Sequence, residues 1–176
     1  MTQTPRIAPL TVAERTERQR EMIEQIGSEF HIFTTFARHP ELFGVYERFA
    51  GRLLYRSSLT AHERETLILR TAYRCRCGYE WVHHVEIAER EGMARDVIDA
   101  IGTDDAAGVD PLLVAAADQL VADHDLDDAT WAGLRDRFDE RQVIEVCMLV
   151  GNYAMTAGVL TALRVQPEDG YAAPEW

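Results

Sequence analysis

Four residues stand at spacings that allow joint chemistry: Glu65, Cys77, Glu80 and His84. Cys77, Glu80, Trp81, His84 and Ala88 recur at helical spacing and fall on one face of a helix. A face that turns a thiol, a carboxylate and an imidazole inward is unusual, because burying unpaired polar groups is costly. Glu80 reaches His84 at i+4, and a Glu/His pair in a partly apolar pocket is a proton-transfer device near neutral pH. Glu65 lies on the preceding helix, and an antiparallel hairpin carries it towards the same place. His83 falls on the side of Glu86 and Arg90 and is expected to be solvated, leaving His84 as the inward histidine.

The elements that must hold these residues read as helices throughout. Residues 1–10 carry Pro5 and Pro9 and form an extended arm, and a polar helix follows from about Thr11 to Gly27. Pro40 opens the next, with Leu42, Val45, Tyr46, Phe49 and Leu53 at helical spacing. Thr60 is an N-cap with Glu63 as its capping-box partner, and the helix it starts ends near Cys75. Further helices cover roughly Gly78 to Glu91 before Gly92, Arg95–Ile101, Pro111 to about Asp123, and a segment around Trp131 and Leu134 capped by Asp127 and Asp128. The helix Glu140–Leu163 is apolar nearly all round and is expected at the centre. The tail 165–176 reads as a second arm, suited to a neighbouring subunit. No alternating strand pattern occurs, so the fold class is all-α, a bundle built around the hairpin Thr60–Gly92 in a single domain over 1–176.

Composition narrows the function classes. The chain has 176 residues and a formal charge of −12 with no basic run, which argues against nucleic acid or an anionic membrane as partner. No apolar stretch is expected to span a bilayer, and MTQTPRIAPL lacks an apolar signal core, so a cytoplasmic location is expected. Three cysteines, Cys75, Cys77 and Cys147, are too few for a disulfide scaffold. Cys-x-Cys beside adjacent histidines is poor zinc geometry, so no metal is expected, and no phosphate loop or dinucleotide fingerprint implies a cofactor.

The segment running from Glu65 to His84 resembles the alkylhydroperoxidase D branch of the carboxymuconolactone decarboxylase family. That branch carries a glutamate, eleven residues, Cys-x-x-Cys, three residues and a histidine. The register lands on Glu65, Cys77, Glu80 and His84, with Glu80 in place of the second cysteine. Tyr79-Glu80-Trp81 followed by an inward His84 is similar to the wider family, as are 6–10, 33–40, 59–70 and 150–155. The resemblance implies an alkylhydroperoxidase D-like bundle, a homo-oligomer and a small-molecule substrate.

Two-cysteine peroxidase chemistry needs a thiolate and a resolving partner, and Cys77 with Glu80 lacks the second. Cys75 and Cys77 could pair only where the chain leaves the helix. The leading expectation is therefore a cofactor-independent acid–base enzyme of decarboxylase, lyase or isomerase type on a small organic acid, lactone or related carbonyl compound. His84 would be the base or acid, Glu80 would orient it, and Glu65 would relay. Trp81, Tyr153 and Arg70 are the candidate substrate contacts. The alternatives are a thiol-dependent antioxidant protein using Cys77, and a non-catalytic binding or assembly protein that kept the buried Glu/His pair.

Overall fold

The computed structural model describes residues 4–174; residues 1–3 and 175–176, the outermost parts of the two expected arms, lie outside it. Its helices are α1 (Glu17–Ile26), α2 (His31–Phe36), α3 (Pro40–Tyr55), α4 (Ala61–Arg74), α5 (Gly78–Arg90), α6 (Arg95–Ile101), α7 (Pro111–Ala122), α8 (Asp128–Arg137) and α9 (Glu140–Leu163). No strand occurs among the described residues, and the class is all-α.

Local signals explain most boundaries. Thr16, rather than Thr11, caps α1: its side chain accepts from the Gln19 N–H, while Thr11 caps a short 3-10 turn over Val12–Glu14. Pro40 takes the first position of α3, where its missing N–H costs nothing. Thr60 and Glu63 form the expected capping box on α4, and Asp127 and Asp139 cap α8 and α9. The α2 helix, including His31, was not foreseen; it has no capping side chain and only six residues.

The centre of the bundle is α4, not α9. Every residue from Arg64 to Ala72 is buried, and α4 packs against α5, α6, α7 and α9. The α9 helix shields α4 with Val146, Leu149, Val150 and Tyr153, but leaves Ile144, Met148 and Met155 exposed. Apolar residues on every face of a helix report an uncharged surface, not which side the chain itself covers. The expectation that no stretch could span a bilayer also needs correction. By length and a mean hydropathy of 1.6, α9 is long enough, though half of its apolar window is buried inside the bundle.

Both arms fold back on their own chain. Arg6 N–H and its guanidinium donate to the carbonyls of Leu163 and Ala162, and Leu10 is buried. At the other end, residues 165–173 cross α2 and α5. Gly78 permits this, since a Cβ there would meet the Ala173 Cβ at 2.7 Å.

Candidate active site

The turn between α4 and α5 sets the register of the site. Cys75 is the C-cap of α4, Arg76 adopts φ 51°, and the Cys77 N–H donates back to Ala72 O at 2.8 Å. This left-handed stop ends α4 and lets α5 start two residues later, at Gly78, antiparallel and in contact with it. Glu65 and His84, nineteen positions apart in sequence, are thereby brought opposite each other.

Their contact is the organising interaction. Glu65 is fully buried; its Oε2 lies 2.8 Å from His84 Nδ1, and its Oε1 accepts from Arg64 Nε at 2.9 Å. Burial works to raise the Glu65 carboxyl, but the His84 imidazole and the Arg64 guanidinium outweigh it and hold the group below the ordinary carboxylate range. Glu65 is thus an anion at neutral pH, and fixes the proton of His84 on Nδ1. Nε2 of His84 is not sealed from solvent and remains free to exchange a proton.

Glu80 is in the opposite state. It is 4% exposed, and both oxygens are shut off without a full hydrogen-bonding partner. Burial pushes its carboxyl well above the ordinary value, and the adjacent Cys77 thiol offsets this only in part. Two carboxyls on neighbouring helices, one held ionised and one held neutral, have the division of base-side and acid-side roles that general acid–base sites use.

A cavity of about 420 Å³ opens on this constellation. Tyr79, Glu80, His83, His84, Tyr153 and Thr156 line it from α5 and α9, with the Glu80 oxygens and His83 nitrogens sealed behind its surface. The α1, α2 and α3 helices supply mostly apolar side chains together with Gln25 and Glu47. Tyr153 meets the His84 ring edge-on, with centroids 4.9 Å apart. Among the described residues, no group of three or more His, Cys, Asp or Glu is placed to hold a metal ion.

Residues 40–122 match the model of the carboxymuconolactone decarboxylase family. No curated protein matches the chain. Among solved structures, an uncharacterized peroxidase-related protein from Silicibacter sp. TM1040 superposes with a TM-score of 0.78 at 19% identity, over 97% of each chain. An uncharacterized peroxidase-related protein with an alkylhydroperoxidase AhpD core, from Ralstonia eutropha JMP134, gives 0.74 at 20% identity, over 93% of each. The debrominase Bmp8, in complex with 2,3,4-tribromopyrrole, gives 0.72 at 16% identity, over 96% of this chain and 95% of its own. These structures speak for the fold, and the family match for the segment. The chain has an alkylhydroperoxidase D-like fold, and its residues 40–122 are similar to the carboxymuconolactone decarboxylase family.

The carboxymuconolactone decarboxylase-like segment spans α3 to α7 and holds Glu65, Cys77, Glu80 and His84, while Tyr153 enters from α9 outside it. Several expectations change on this geometry. The carboxylate that orients His84 is Glu65, not Glu80: an i+4 contact along one helix gives way to one across the hairpin. Cys77 lies 2% exposed behind the cavity wall, packed with Ala157 and Leu160, rather than at the cavity surface. Arg70 lies outside the cavity: its guanidinium grips Asp118 at 2.6 and 2.7 Å and donates to the carbonyls of Ile101, Thr103 and Asp104. Trp81 turns away into the cluster of Leu69, Ala88 and Ile98, against Gly102.

His83 is not solvated. It lies between Phe30, Tyr79 and Tyr171, each with ring centroids 4.6 Å away, and its Nε2 is 2.7 Å from Glu168 Oε2. Helical periodicity correctly turns His83 away from α4, but the tail then covers that side. Glu168 also accepts from the Tyr79 hydroxyl at 2.9 Å and from the His31 N–H, and these contacts outweigh burial to draw its carboxyl down to about 2. Sequence reasoning missed Glu168, Tyr79 and Tyr46 as groups at the site. The one local signal for Glu168 was an acidic residue directly after Pro167, in a tail of mixed polarity.

Proposed function

We propose that the protein is a cofactor-independent acid–base enzyme, of decarboxylase, lyase or isomerase type, acting on a small organic acid, lactone or related carbonyl compound. One observation carries this reading: an ionised Glu65 pairs with His84 at 2.8 Å while a neutral Glu80 sits in the wall of the same cavity. Glu65 keeps the proton on Nδ1, so Nε2 takes a proton from substrate carbon or water, and Glu65 stabilises the imidazolium that forms. Glu80 supplies the proton to the enolate or carbanion that deprotonation or loss of carbon dioxide leaves behind. A side-chain rotation brings its oxygen from behind the wall. The apolar walls strengthen these electrostatic interactions by keeping water out. The family match and the debrominase activity named for one structural relative support small-molecule chemistry on this fold.

The thiol route fits the site less well. A peroxide-reducing cysteine needs an accessible thiolate. Burial pushes the Cys77 thiol well up, and burial pushes Cys75 up to about 11. The test is turnover on a panel of lactones and 2- and 3-oxo acids. His84→Ala should lose about 10²–10⁴-fold in kcat/KM, Glu65→Gln should lose activity with a displaced pH profile, and Cys77→Ser should retain it. Peroxide turnover that vanishes in Cys77→Ser would replace this reading by the thiol one.

A further inference from the structure

A second concavity of about 440 Å³ lies between α3 and α9 and shares Phe43, Tyr46 and Thr156 with the catalytic cavity. Its own walls are almost wholly carbon: Phe36, Leu42, Met155, Val159 and Leu163, with Ile7 brought in by the N-terminal arm. The arm is held there by the hydrogen bonds of Arg6 to Ala162 O and Leu163 O, each 2.9 Å. Four separate segments therefore build the hollow, which distinguishes it from a flat helix face.

The partition between the two spaces is thin. Thr156 Oγ1 donates to Asn152 O at 2.8 Å, so in its 2.9 Å contact with Tyr46 the phenol is the donor. Burial lifts the Tyr46 hydroxyl to about 12 and keeps it a neutral donor. The Tyr46–Thr156 hydrogen bond and the Phe43 side chain thus belong to the wall that the two spaces share.

We propose that this hollow is the subsite for the aliphatic arm of the substrate. The reacting carboxyl or carbonyl sits at His84, and the arm passes Tyr46 and lies along Leu42, Met155 and Val159. This inference rests on the acid–base reading and adds to it a substrate class, aliphatic acids or lactones with an apolar substituent. Neither space alone suits such a molecule: the first holds Glu80 and His84, and the second's own walls are apolar apart from Thr35, Arg38 and His39, of which Arg38 is already engaged by Ala8 O and Glu14.

The experiment is calorimetric titration of the full chain with straight-chain carboxylates from butanoate to decanoate. Affinity should climb by about fourfold per methylene once the arm enters the hollow. Val159→Trp, which fills the hollow at a partly exposed position, should flatten that climb and leave butanoate binding as it was. His84→Ala should weaken every acid by a similar factor and leave the climb intact. An unchanged climb in Val159→Trp overturns the subsite and leaves the acid–base reading standing. A climb abolished by Val159→Trp with no effect of His84→Ala on any acid removes the anchoring at His84, and with it the proposal as made. If wild type shows no climb, and Val159→Trp only reduces the sedimenting mass, the hollow is a contact between copies of the chain.

Discussion

At the scale of single residues, the site depends on keeping two glutamates in opposite charge states. The Glu80 carboxyl is raised by burial, so its proton is bound more tightly in the folded chain than in the unfolded one. Its contribution to stability is therefore fully present below the unfolded value of about 4.3 and is lost as pH rises towards the folded value. Glu80→Gln removes that dependence. Thermal melts from pH 4 to 7 should show wild type losing stability relative to the variant as pH rises; parallel curves would mean that Glu80 is solvated and ordinary. The Glu65 carboxyl is depressed, so the sign reverses: its contribution is present above about 4.3 and fades on acidification.

At the scale of elements, two side chains tie segments that carry no catalytic group. Arg70, fully buried on α4, binds Asp118 of α7, the carbonyl of Ile101 at the end of α6 and two carbonyls of the turn after it. Removing one partner of such a pair strands the rest, so Arg70→Ala should cost about 3–5 kcal/mol in denaturant unfolding. A variant that folds normally but shows only a raised KM would return Arg70 to the substrate. Glu168 clamps the tail to His31, Tyr79 and His83. Glu168→Gln should lower stability by about 2 kcal/mol at pH 7, the worth of charge-assisted hydrogen bonds. The difference should shrink below about pH 4 and be lost as pH falls through the folded value of about 2, because a protonated Glu168 makes the same weaker contacts as the amide.

At the scale of the whole molecule, the outer faces of α3 and α9 remain apolar and uncovered. Val45 and Phe49 on α3, and Ile144 and Met148 on α9, are exposed large side chains. Residues 146–163 carry no charge at all. Exposed apolar surface marks interaction sites, and we propose these four residues, apart from the hollow at Leu42, Met155 and Val159, as part of the face of the homo-oligomer that the family resemblance implies. Sedimentation should give a mass above the monomer for wild type. Met148→Glu should weaken self-association by about tenfold or more, since it places an unpaired charge in the interface. A monomeric wild type would leave this surface unexplained by self-association.

Local rules were enough to read the helices that carry local signals, though not the uncapped α2 or the start of α1. The capping box at Thr60, Pro40 and Pro111 at first turns, and Gly92 after α5 each act within four residues, so their signals are written side by side in the chain. The same locality found the Glu65, Glu80 and His84 constellation, because a helix repeats its faces at known spacing. What periodicity could not decide was which group each face meets. Whether His84 pairs with Glu80 or Glu65 depends on how α4 and α5 pack, and the turn at Arg76 settled it for Glu65. Whether His83 is wet depends on a tail 85 positions away, as Tyr171 bonds to Glu86 and Glu168 reaches His83. Whether α4 or α9 is central depends on burial by four other helices. Sequence determines what each segment is able to bury; only tertiary packing decides which surface is buried, against what, and in which state of charge.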